Sequence, residues 1–313
     1  MGDDLTLDHD RARAGASPRP NDPQPLGSAG RGRGVYGRKH AAGFRSTTGL
    51  DVSELRYEVD DPVATITLDR PHTLNALTDR MLGAFREAVE EAASDPAVVG
   101  IVVTGAGRGF CSGLDAEMLA RTTDAGSSSR PSTDDVPGLF TWLLAIPKPI
   151  IAAVNGVAAG GGFVLAAMSD LRIASTAAQF TSIFSRRGLI AEHGTTWIVP
   201  RLVGAGAALD LLWSSRKIDA AEAYRIGLVQ QVVDAGDLLP AARRFVVDLA
   251  ENVSPASLAD TKRLVYRHLG VGYEDALLET DEVQYAALDR PDAKEGAAAL
   301  LEKRSPTFPR LGR

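Results

Sequence analysis

The sequence predicts an α/β fold in which helices cover a largely parallel sheet. Two apolar runs, residues 98–103 and 149–154, are continuous hydrophobic stretches of the kind that form strands buried on both faces. A glycine-rich loop follows each run, and the second loop leads directly into the helical pattern of residues 163–170. Repetition of this strand, loop and helix order indicates parallel strands joined by helices.

The first predicted elements are a β-hairpin and a helix. Residues 55–59 and 63–68 have the pattern of two strands, and the Asp-Asp-Pro sequence between them favours a turn. Thr78 is a suitable N-cap, because its hydroxyl can accept a hydrogen bond from a backbone N–H of the first helical turn. Apolar residues then recur at helical spacing, which predicts a helix over 79–94.

The rest of the chain alternates between loops, one further strand and several helices. Residues 122–136 are rich in Ser, Thr, Asp and Gly, which predicts a mobile loop beside the site. A short helix is expected at 138–145, before Pro147 and Pro149 force an extended backbone. The remaining predicted elements are a strand at 171–175 and helices at 207–213, 220–227, 238–252, 257–268, 273–288 and 293–303.

Composition limits the class of protein. With 313 residues and 44% hydrophobic content, the chain can bury a large core without disulfides, and Cys111 is its single cysteine. A net charge of -6 argues against a nucleic-acid-binding body. No apolar stretch reaches the roughly 18 residues that a transmembrane helix requires. We therefore expect a cytoplasmic enzyme that binds neither nucleic acid nor a membrane.

The first fifty residues differ in composition from the remainder. They are rich in Gly, Pro, Arg and Asp and have few large apolar side chains, so they cannot form a core. We expect a disordered tail, or a start codon assigned too far upstream. The Arg-Gly-Arg-Gly sequence at 31–34 is similar to nucleic-acid-contacting segments, but one such motif is too little to support that role.

The two glycine-rich loops indicate a site. In the second, glycines at 160–162 allow a close approach of the backbone to a ligand, and the helix after them begins with unpaired N–H groups. The first loop, residues 105–115, could direct the Leu114 N–H at the same point as the Gly161 N–H. Two such donors form an oxyanion hole, which suits chemistry through an enolate or a tetrahedral acyl intermediate.

Four motifs occur in a characteristic order and spacing. They are Thr-Leu-Asp-Arg-Pro-His-Thr-Leu-Asn-Ala-Leu at 67–77, Phe-Cys-Ser-Gly-Leu-Asp at 110–115, Pro-Lys-Pro-Ile-Ile-Ala-Ala-Val-Asn-Gly at 147–156 and Ala-Ala-Gly-Gly-Gly-Phe at 158–163. Through these motifs, residues 52–308 resemble the crotonase superfamily, also called the enoyl-CoA hydratase/isomerase family. The resemblance implies a spiral of ββα units followed by C-terminal helices that assemble subunits into homotrimers, often paired as hexamers.

Three regions are predicted on this basis. They are a tail at 1–50, an acyl-CoA-binding core at 51–255 and a C-terminal helical oligomerisation region at 256–313. The resemblance implies an acyl-CoA thioester as the partner and no separate cofactor, since coenzyme A is part of the substrate. It also implies that the Leu114 and Gly161 N–H groups stabilise a thioester enolate. No His and Cys cluster has the spacing of a metal site, so no metal is expected.

The resemblance also identifies residues that line the substrate. Segments 70–74 and 114–117 match stretches beside the coenzyme A moiety, and Arg70, His72 and Arg108 could contact its phosphates. Ordinary solvated surface charges are the alternative for these three side chains. The substrate-binding candidates are Arg70, His72, Thr73, Leu74, Asp115, Ala116, Val164, Phe184, His193 and Trp197.

Two positions depart from the hydratases of this family. Those enzymes use two glutamates to hold a water molecule and transfer its protons, and the matching positions here are Val164 and Phe184. Neither side chain can accept or donate a proton. A hydratase would therefore need a replacement for both glutamates.

Glu192 is the candidate replacement. It lies four residues after Gly188, where members resembling dienoyl-CoA isomerases and aryl-CoA dehalogenases have a functional aspartate. Apolar neighbours, among them Leu189 and Ile190, would desolvate the carboxylate, raise its pKa and make it a better base. A helix N-cap or a first-turn carboxylate stabilised by the helix dipole is the alternative. The adjacent His193 could share or replace the catalytic role.

These observations predict an acyl-CoA enzyme that isomerises the double bond of an enoyl-CoA. Glu192 would act as the acid/base, and the Leu114 and Gly161 N–H groups would hold the enolate. One alternative is hydration by a rearranged Glu192 site, with hydrolysis or other lyase chemistry also open. Another is a non-catalytic acyl-CoA-binding protein.

Overall fold

The structure is a computed structural model that describes residues 50–52, 54–126 and 136–312. Residues 1–49 of the predicted tail, with its Arg-Gly sequence, lie outside these residues, as does most of the loop expected at 122–136. Leu50 begins a strand and residues 122–125 end a helix, so the predicted bounds of the tail and of the loop are wrong there. Among the described residues, no helix is long and apolar enough to cross a membrane. No group of three or more His, Cys, Asp or Glu side chains in the same residues could hold a metal ion. The boundary at residue 255 stays a prediction.

Two sheets lie at the centre of the described chain. Their strands are β1 (Leu50–Val52), β2 (Leu55–Asp60), β3 (Val63–Leu68), β4 (Gly100–Gly105), β5 (Gly109–Cys111), β6 (Ile150–Val154), β7 (Val157–Ala159), β8 (Leu171–Ser175), β9 (Gln179–Thr181), β10 (Ile218–Asp219) and β11 (Gln231–Val233). The larger sheet has the order β1-β2-β3-β4-β6-β8-β11 and is parallel from β3 onward. The smaller sheet has the order β10-β9-β7-β5.

Helices cover both sheets and dominate the C-terminal half. They are α1 (Asp79–Ser94), α2 (Ala116–Ala125), α3 (Gly161–Met168), α4 (Thr195–Val203), α5 (Ala205–Ser214), α6 (Ala220–Arg225), α7 (Leu238–Asn252), α8 (Pro255–His268), α9 (Tyr273–Leu288) and α10 (Pro291–Glu302). The buried side chains form one large core cluster and a second, smaller cluster beneath α7.

The chain winds between the two sheets as a spiral. β4, β6 and β8 belong to the larger sheet, and each leads into a short strand of the smaller sheet, which is β5, β7 or β9 respectively. The short strands are parallel, with Val157 opposite both Gly109 and Gln179. The helices α2, α3 and α4 follow the three short strands in turn. The predicted spiral of ββα units is therefore confirmed.

The helices with the clearest sequence patterns are confirmed. α1 begins after Thr78, whose hydroxyl accepts a hydrogen bond from the Met81 N–H at 3.0 Å. Met81, Phe85 and Val89 form the buried face of α1, as their helical spacing indicates. α7 and α9 occupy the predicted residues, because both carry long, uninterrupted helical patterns.

Two boundaries near the glycine loops were predicted wrongly. The helix expected at 163–170 is α3, which begins at Gly161 and ends at Met168. The helix expected at 138–145 is a short 3-10 turn, Thr141–Ala145. α3 begins among the glycines because Gly160 adopts a φ of 51° that admits the tight turn into the helix.

A buried ion pair holds α8 against the core. Asp170 lies between α3 and β8, and its Oδ2 accepts a hydrogen bond from Lys262 Nζ at 2.7 Å. Tyr266 donates its hydroxyl proton to the other carboxylate oxygen at 2.9 Å, and the Ile150 N–H donates to Oδ2 at 2.7 Å. Asp170 thus joins two donors from α8 to one from β6, and these hydrogen bonds fix the position of α8 beside the spiral.

Candidate active site

The two glycine-rich loops meet at Gly113 and Gly161. A Cβ atom on Gly113 would lie 3.2 Å from the Gly161 nitrogen and 3.0 Å from the Ala159 carbonyl oxygen. Gly113 also has a φ of 99°, which residues with a Cβ rarely adopt. The lack of a side chain at Gly113 therefore lets the two backbones approach closely.

The N–H groups of Leu114 and Gly161 are available to a ligand. Leu77 pairs with Leu114 in a parallel bridge, in which the Leu77 N–H donates to the Gly113 carbonyl and the Asp115 N–H donates to the Leu77 carbonyl, both at 2.8 Å. This pattern leaves the Leu114 N–H without an acceptor among the described residues. Gly161 is the first residue of α3, so its N–H has no intrahelical acceptor. The helix dipole also favours negative charge at this end.

Gly162 fixes α3 against β5. A Cβ atom at Gly162 would clash with the Cys111 carbonyl oxygen, so the strand and the helix can meet only because the residue is glycine. The Cys111 side chain is fully buried, and burial raises the pKa of its thiol to about 12. A protonated, buried thiol is a packing group and not a nucleophile.

Asn75 fixes the first glycine loop from inside the core. Its buried Nδ2 donates to the carbonyl oxygens of Ala106 at 3.0 Å, Gly109 at 2.8 Å and Phe110 at 3.2 Å. Its Oδ1 accepts a hydrogen bond from the Arg70 N–H at 2.9 Å. The motif at 67–77 contains Asn75 but does not by itself assign it a role. A buried amide flanked by apolar residues was the signal that it holds a backbone in place.

Asn155 fixes the same loop from the second motif. Its Oδ1 accepts from the Gly105 N–H at 3.2 Å, and its Nδ2 donates to the carbonyls of Gly107 at 3.0 Å and Gly109 at 3.1 Å. The carbonyl of Gly109 therefore receives amide protons from both Asn75 and Asn155. The two asparagines together set the path of the loop that presents Leu114.

Arg70 is paired within the protein. Its guanidinium donates to Asp115 Oδ2 at 3.1 Å and lies 3.6 Å from Glu54 Oε1, and the side chain is only 15% exposed. Asp115 also caps α2, because its Oδ1 accepts a hydrogen bond from the Glu117 N–H at 3.1 Å. That N–H and the Arg70 guanidinium hold the pKa of the Asp115 carboxyl below its usual value. Ala116, the next residue, is exposed.

The other coenzyme A candidates lie around this loop. His72 and Arg108 are exposed, so both are accessible to a phosphate. Thr73 and Leu74 form the turn before Asn75, and the Ser112 side chain donates to the Thr73 carbonyl at 2.9 Å. Their contacts with coenzyme A, and those of Arg70, stay predictions.

Glu192 lies on the loop that leads into α4. Its side chain is 35% exposed, so the carboxylate is accessible. The N-cap of α4 is Gly194, and no side chain caps this helix. The main-chain carbonyl of Glu192 instead accepts hydrogen bonds from the Thr195 N–H at 3.0 Å and hydroxyl at 2.7 Å. The helix-capping alternative for the Glu192 carboxylate is therefore wrong.

His193 is the titratable neighbour of Glu192. Its Nε2 lies 3.7 Å from Glu192 Oε2. Burial lowers the pKa of His193, and the negative charge of Glu192 opposes that shift. His193 also has a φ of 54°, which is uncommon for a residue with a Cβ. This backbone turn places the imidazole and the carboxylate side by side, although adjacent side chains usually diverge.

The surroundings of Glu192 are only partly apolar. Val164 and Phe184 are buried in the main core, where apolar side chains pack well. Leu189 is partly exposed, and Ile190 is 80% exposed. The expected enclosure of Glu192 by these last two side chains is wrong, because the loop turns them toward solvent.

A cavity of about 1480 Å³ begins beside this loop. Leu139, Trp142, Met168, His193 and Trp197 are among its lining residues, and part of its wall belongs to α8. Glu192, Leu114 and Gly161 are not part of that lining. Leu139 connects the two places, since its Cδ1 lies 3.5 Å from the position that a Cβ on Gly161 would occupy. Leu139 therefore contacts both the surroundings of Gly161 and the cavity, and His193 borders the cavity beside Glu192.

Comparison with known proteins gives a consistent result. Residues 58–310 match the family model described as Enoyl-CoA hydratase/isomerase. The protein named "Probable enoyl-CoA hydratase echA8" from Mycobacterium tuberculosis is 36% identical over 251 residues, which are 80% of this chain and 96% of that protein. The 1,2-epoxyphenylacetyl-CoA isomerase of Escherichia coli is 34% identical over 256 residues, with 80% and 96% covered.

Solved structures show the same likeness. An enoyl-CoA hydratase/isomerase from Mycobacterium paratuberculosis is similar with a TM-score of 0.71 and 32% identity, covering 83% of this chain and 98% of that one. An enoyl-CoA hydratase from Polaromonas sp. JS666 is similar with a TM-score of 0.74 and 29% identity, covering 81% and 99%. Both solved structures share the fold of this chain, and both are matched over almost their whole length.

Proposed function

Because this chain belongs to the enoyl-CoA hydratase/isomerase family and is an enzyme of the crotonase type, we propose that it isomerises the double bond of an enoyl-CoA with Glu192 as acid/base. The observation that carries the proposal is the combination of two available N–H donors with one accessible carboxylate. Val164 and Phe184 supply no second carboxylate at the positions where hydratases of the family have glutamates.

The proposed reaction begins when the thioester carbonyl oxygen accepts hydrogen bonds from the Leu114 and Gly161 N–H groups. Glu192 removes a proton from C2 of a 3-enoyl-CoA, and the electrons of the broken C–H bond form an enolate. The two N–H groups and the positive end of α3 stabilise the negative oxygen. When the carbonyl re-forms, the double bond moves to C2 and C3, and the same carboxyl returns the proton to C4. One acid/base therefore suffices, and no water is consumed.

His193 supports Glu192 in this scheme. A neutral imidazole 3.7 Å from the carboxylate can stabilise the protonated carboxyl by accepting a hydrogen bond from it after a small side-chain rotation. The lowered pKa of His193 keeps the imidazole neutral near pH 7, so it is suited to this role. The assignment rests on the distance and on the position of both residues in one loop.

Hydration is the second candidate function. Two of the relatives described above are named as hydratases, and His193 beside Glu192 gives the site a second titratable group. In that reaction Glu192 and His193 would hold a water molecule and deliver its oxygen to C3 and a proton to C2. Val164 and Phe184 make this candidate weaker, because neither can bind that water.

The proposal is tested by the mass of the product. The purified protein is incubated with 2-enoyl-, 3-enoyl- and dienoyl-CoA thioesters, and the products are separated by chromatography with mass detection. A product of unchanged mass and new retention supports isomerisation, whereas a product heavier by one water supports hydration. Glu192→Gln should abolish turnover with acyl-CoA binding retained. Glu87→Gln, an exposed carboxylate on α1, is the matched control, and turnover by E192Q at the wild-type rate would exclude the proposed role.

The proposed assembly is a homotrimer or a hexamer formed by two trimers. Its support is the apolar surface of the C-terminal helices, where Tyr273, Leu278, Tyr285 and Leu301 are exposed in the single chain. Side chains of this size are seldom left in water in such number on adjacent helices. Light scattering coupled to size-exclusion chromatography decides between a trimer, a hexamer and a monomer.

A further inference from the structure

The cavity beside His193 is larger than an ordinary ligand pocket. Its volume is about 1480 Å³, whereas small-molecule pockets usually have about 300–1,000 Å³. A short acyl group would fill only a small part of it. A volume of this kind indicates a large group beyond the thioester.

The cavity extends well away from the N–H donors. α3 runs from Gly161, which supplies one donor, to Met168, which lines the cavity. At about 1.5 Å per residue, those two residues are roughly 10 Å apart along the helix axis. The space continues past Met168 to α8, where Ala259 is part of its wall. An acyl group whose carbonyl is bound at Gly161 must therefore be long or bulky to occupy this cavity.

The surface of the cavity is mostly apolar. Trp142, Trp197, Leu139 and Met168 contribute large hydrophobic side chains to it. Polar atoms of the lining are engaged elsewhere, since the Trp142 indole N–H donates to the Leu139 carbonyl at 3.1 Å. In the same way, the Tyr266 hydroxyl donates to Asp170, which lies behind the wall. Few polar groups are left for a ligand, so the complementary group is a hydrocarbon.

The charged side chains of the lining already have partners of opposite charge. The pairs are Lys262 with Asp170 at 2.7 Å, Arg263 with Glu279 at 2.9 Å, Arg86 with Glu90 at 2.9 Å, Arg267 with Glu279, and Asp260 with Arg290 at 2.7 Å. A ligand with a carboxylate at its distal end would have to compete for these cations. An uncharged ligand leaves every pair intact.

We infer that the substrate carries a large, uncharged hydrocarbon acyl group, which occupies this cavity. The inference rests on the proposed function, because that function places the thioester carbonyl at the Gly161 N–H. A long aliphatic chain and a fused-ring aryl group both have the large, uncharged and apolar surface that this cavity would accommodate. Apolar contact with two tryptophans, a methionine and leucine side chains suits either source.

The test measures binding and turnover separately. Saturated butanoyl-, decanoyl- and hexadecanoyl-CoA, together with naphthoyl-CoA, are titrated into the full chain by calorimetry, and kcat/KM is measured with the matching enoyl thioesters. Affinity for hexadecanoyl-CoA or naphthoyl-CoA should exceed that for butanoyl-CoA by at least about tenfold. The tighter of the two large ligands identifies the source. Equal or decreasing affinity with acyl size would overturn the inference.

The same data separate this inference from the proposed function. Tight binding of large acyl groups without isomerisation would refute the proposed function and leave the inference standing. Isomerisation with a preference for butenoyl-CoA would support the proposed function and refute the inference of a large acyl group. Each outcome therefore bears on one statement only.

A variant that fills the cavity locates the acyl group. Ala259→Phe should weaken hexadecanoyl-CoA binding by about tenfold and leave butanoyl-CoA binding within about twofold. Thr261→Phe, an exposed position on the same helix outside the lining, is the matched control. Ala145→Phe, at a second lining residue outside α8, serves if the first variant fails to fold. Unchanged binding of the large ligand in a folded variant of either kind would show that the acyl group lies elsewhere.

Discussion

The backbone of Gly113 lies so close to that of Gly161 that a Cβ atom on Gly113 would be 3.2 Å from the Gly161 nitrogen. Residues 48 positions apart in the sequence therefore form one surface, with the Leu114 and Gly161 N–H groups on it. The chemistry proposed for this enzyme depends on the distance in space between these two N–H groups. A small displacement of either loop would move a donor away from the oxygen it is meant to stabilise.

Gly113→Ala should reduce kcat by about 10²–10³-fold, the usual effect of losing one oxyanion donor. The added Cβ is too close to Gly161, and the φ of 99° at Gly113 is strained for alanine. The measurement is steady-state kinetics on an enoyl-CoA, with the fold checked by circular dichroism. Gly83→Ala on α1 is the control, since nothing lies within 4 Å of its Cβ position. G83A should keep full activity and gain about 0.5–1 kcal/mol of stability.

Asn75→Ala should destabilise the protein by about 1–3 kcal/mol and lower kcat. The variant removes the Asn75 amide from the carbonyl oxygens of Ala106 and Phe110 and leaves that of Gly109 with Asn155 alone, so the loop that presents Leu114 loses support. Urea denaturation and kinetics check both effects. Asn252→Ala is the control, because that exposed amide contacts only Asp248. An N75A protein with wild-type kcat would mean that the loop holds its shape without Asn75.

The protein should lose stability in acid in part through His193. Burial lowers the pKa of His193 in the folded protein below the ordinary value of about 6.5. The unfolded chain therefore binds the proton more readily, and stability falls as the pH drops through 6.5 toward the lowered pKa. His193→Asn should flatten this part of the stability curve, since Asn tolerates the positive φ and does not titrate. The same slope in wild type and H193N would contradict the assignment.

Asp170→Ala should cost about 3–5 kcal/mol, because it leaves the Lys262 ammonium buried without its carboxylate. The side chains of the pair are 17% and 9% exposed and lie 2.7 Å apart. Thermal or urea unfolding measures the loss. Glu90→Gln breaks the Arg86–Glu90 pair at 2.9 Å, which is about half exposed and should be worth no more than about 1 kcal/mol. Equal effects of the two variants would show that Lys262 is rehydrated when Asp170 is removed.

The elements with long periodic patterns were predictable from the sequence. α1 has an N-capping Thr78 and five buried apolar residues at helical spacing, so both its start and its buried face could be given. The central strands β4 and β6 of the larger sheet were also clear, because their residues are apolar on both faces. The order of the motifs then indicated a spiral of ββα units, which the structure confirms.

The short elements were not predictable. β5, β7 and β9 have three residues each, too few to show a period of two. α2 was missed because the polar residues at its C-terminal end were assigned to the loop at 122–136, although Asp115 caps the start of the helix. In the same way, neither spacing nor composition could show that Ile190 points to solvent, since that depends on the path of one loop.

The candidate site was predictable in part. The convergence of the two glycine loops followed from their positions after neighbouring strands. The supporting side chains did not follow, because the contacts of Asn75 and Asn155 join segments far apart in the chain. The cavity beside His193 depends on the docking of α8 through Asp170, a tertiary contact that local patterns do not specify.

The sequence Asn155-Gly156 places a pair of residues that can deamidate at the point where the first glycine loop is held. Asparagine followed by glycine is the pair most prone to lose its side-chain amide by hydrolysis through a cyclic imide. Conversion of Asn155 to aspartate would turn the Nδ2 donor, which now serves the carbonyls of Gly107 and Gly109, into a negatively charged oxygen facing them. The new carboxylate and the carbonyl oxygens of the loop would then repel each other. Slow deamidation at one residue would age this enzyme by loosening the place where the Leu114 N–H is held.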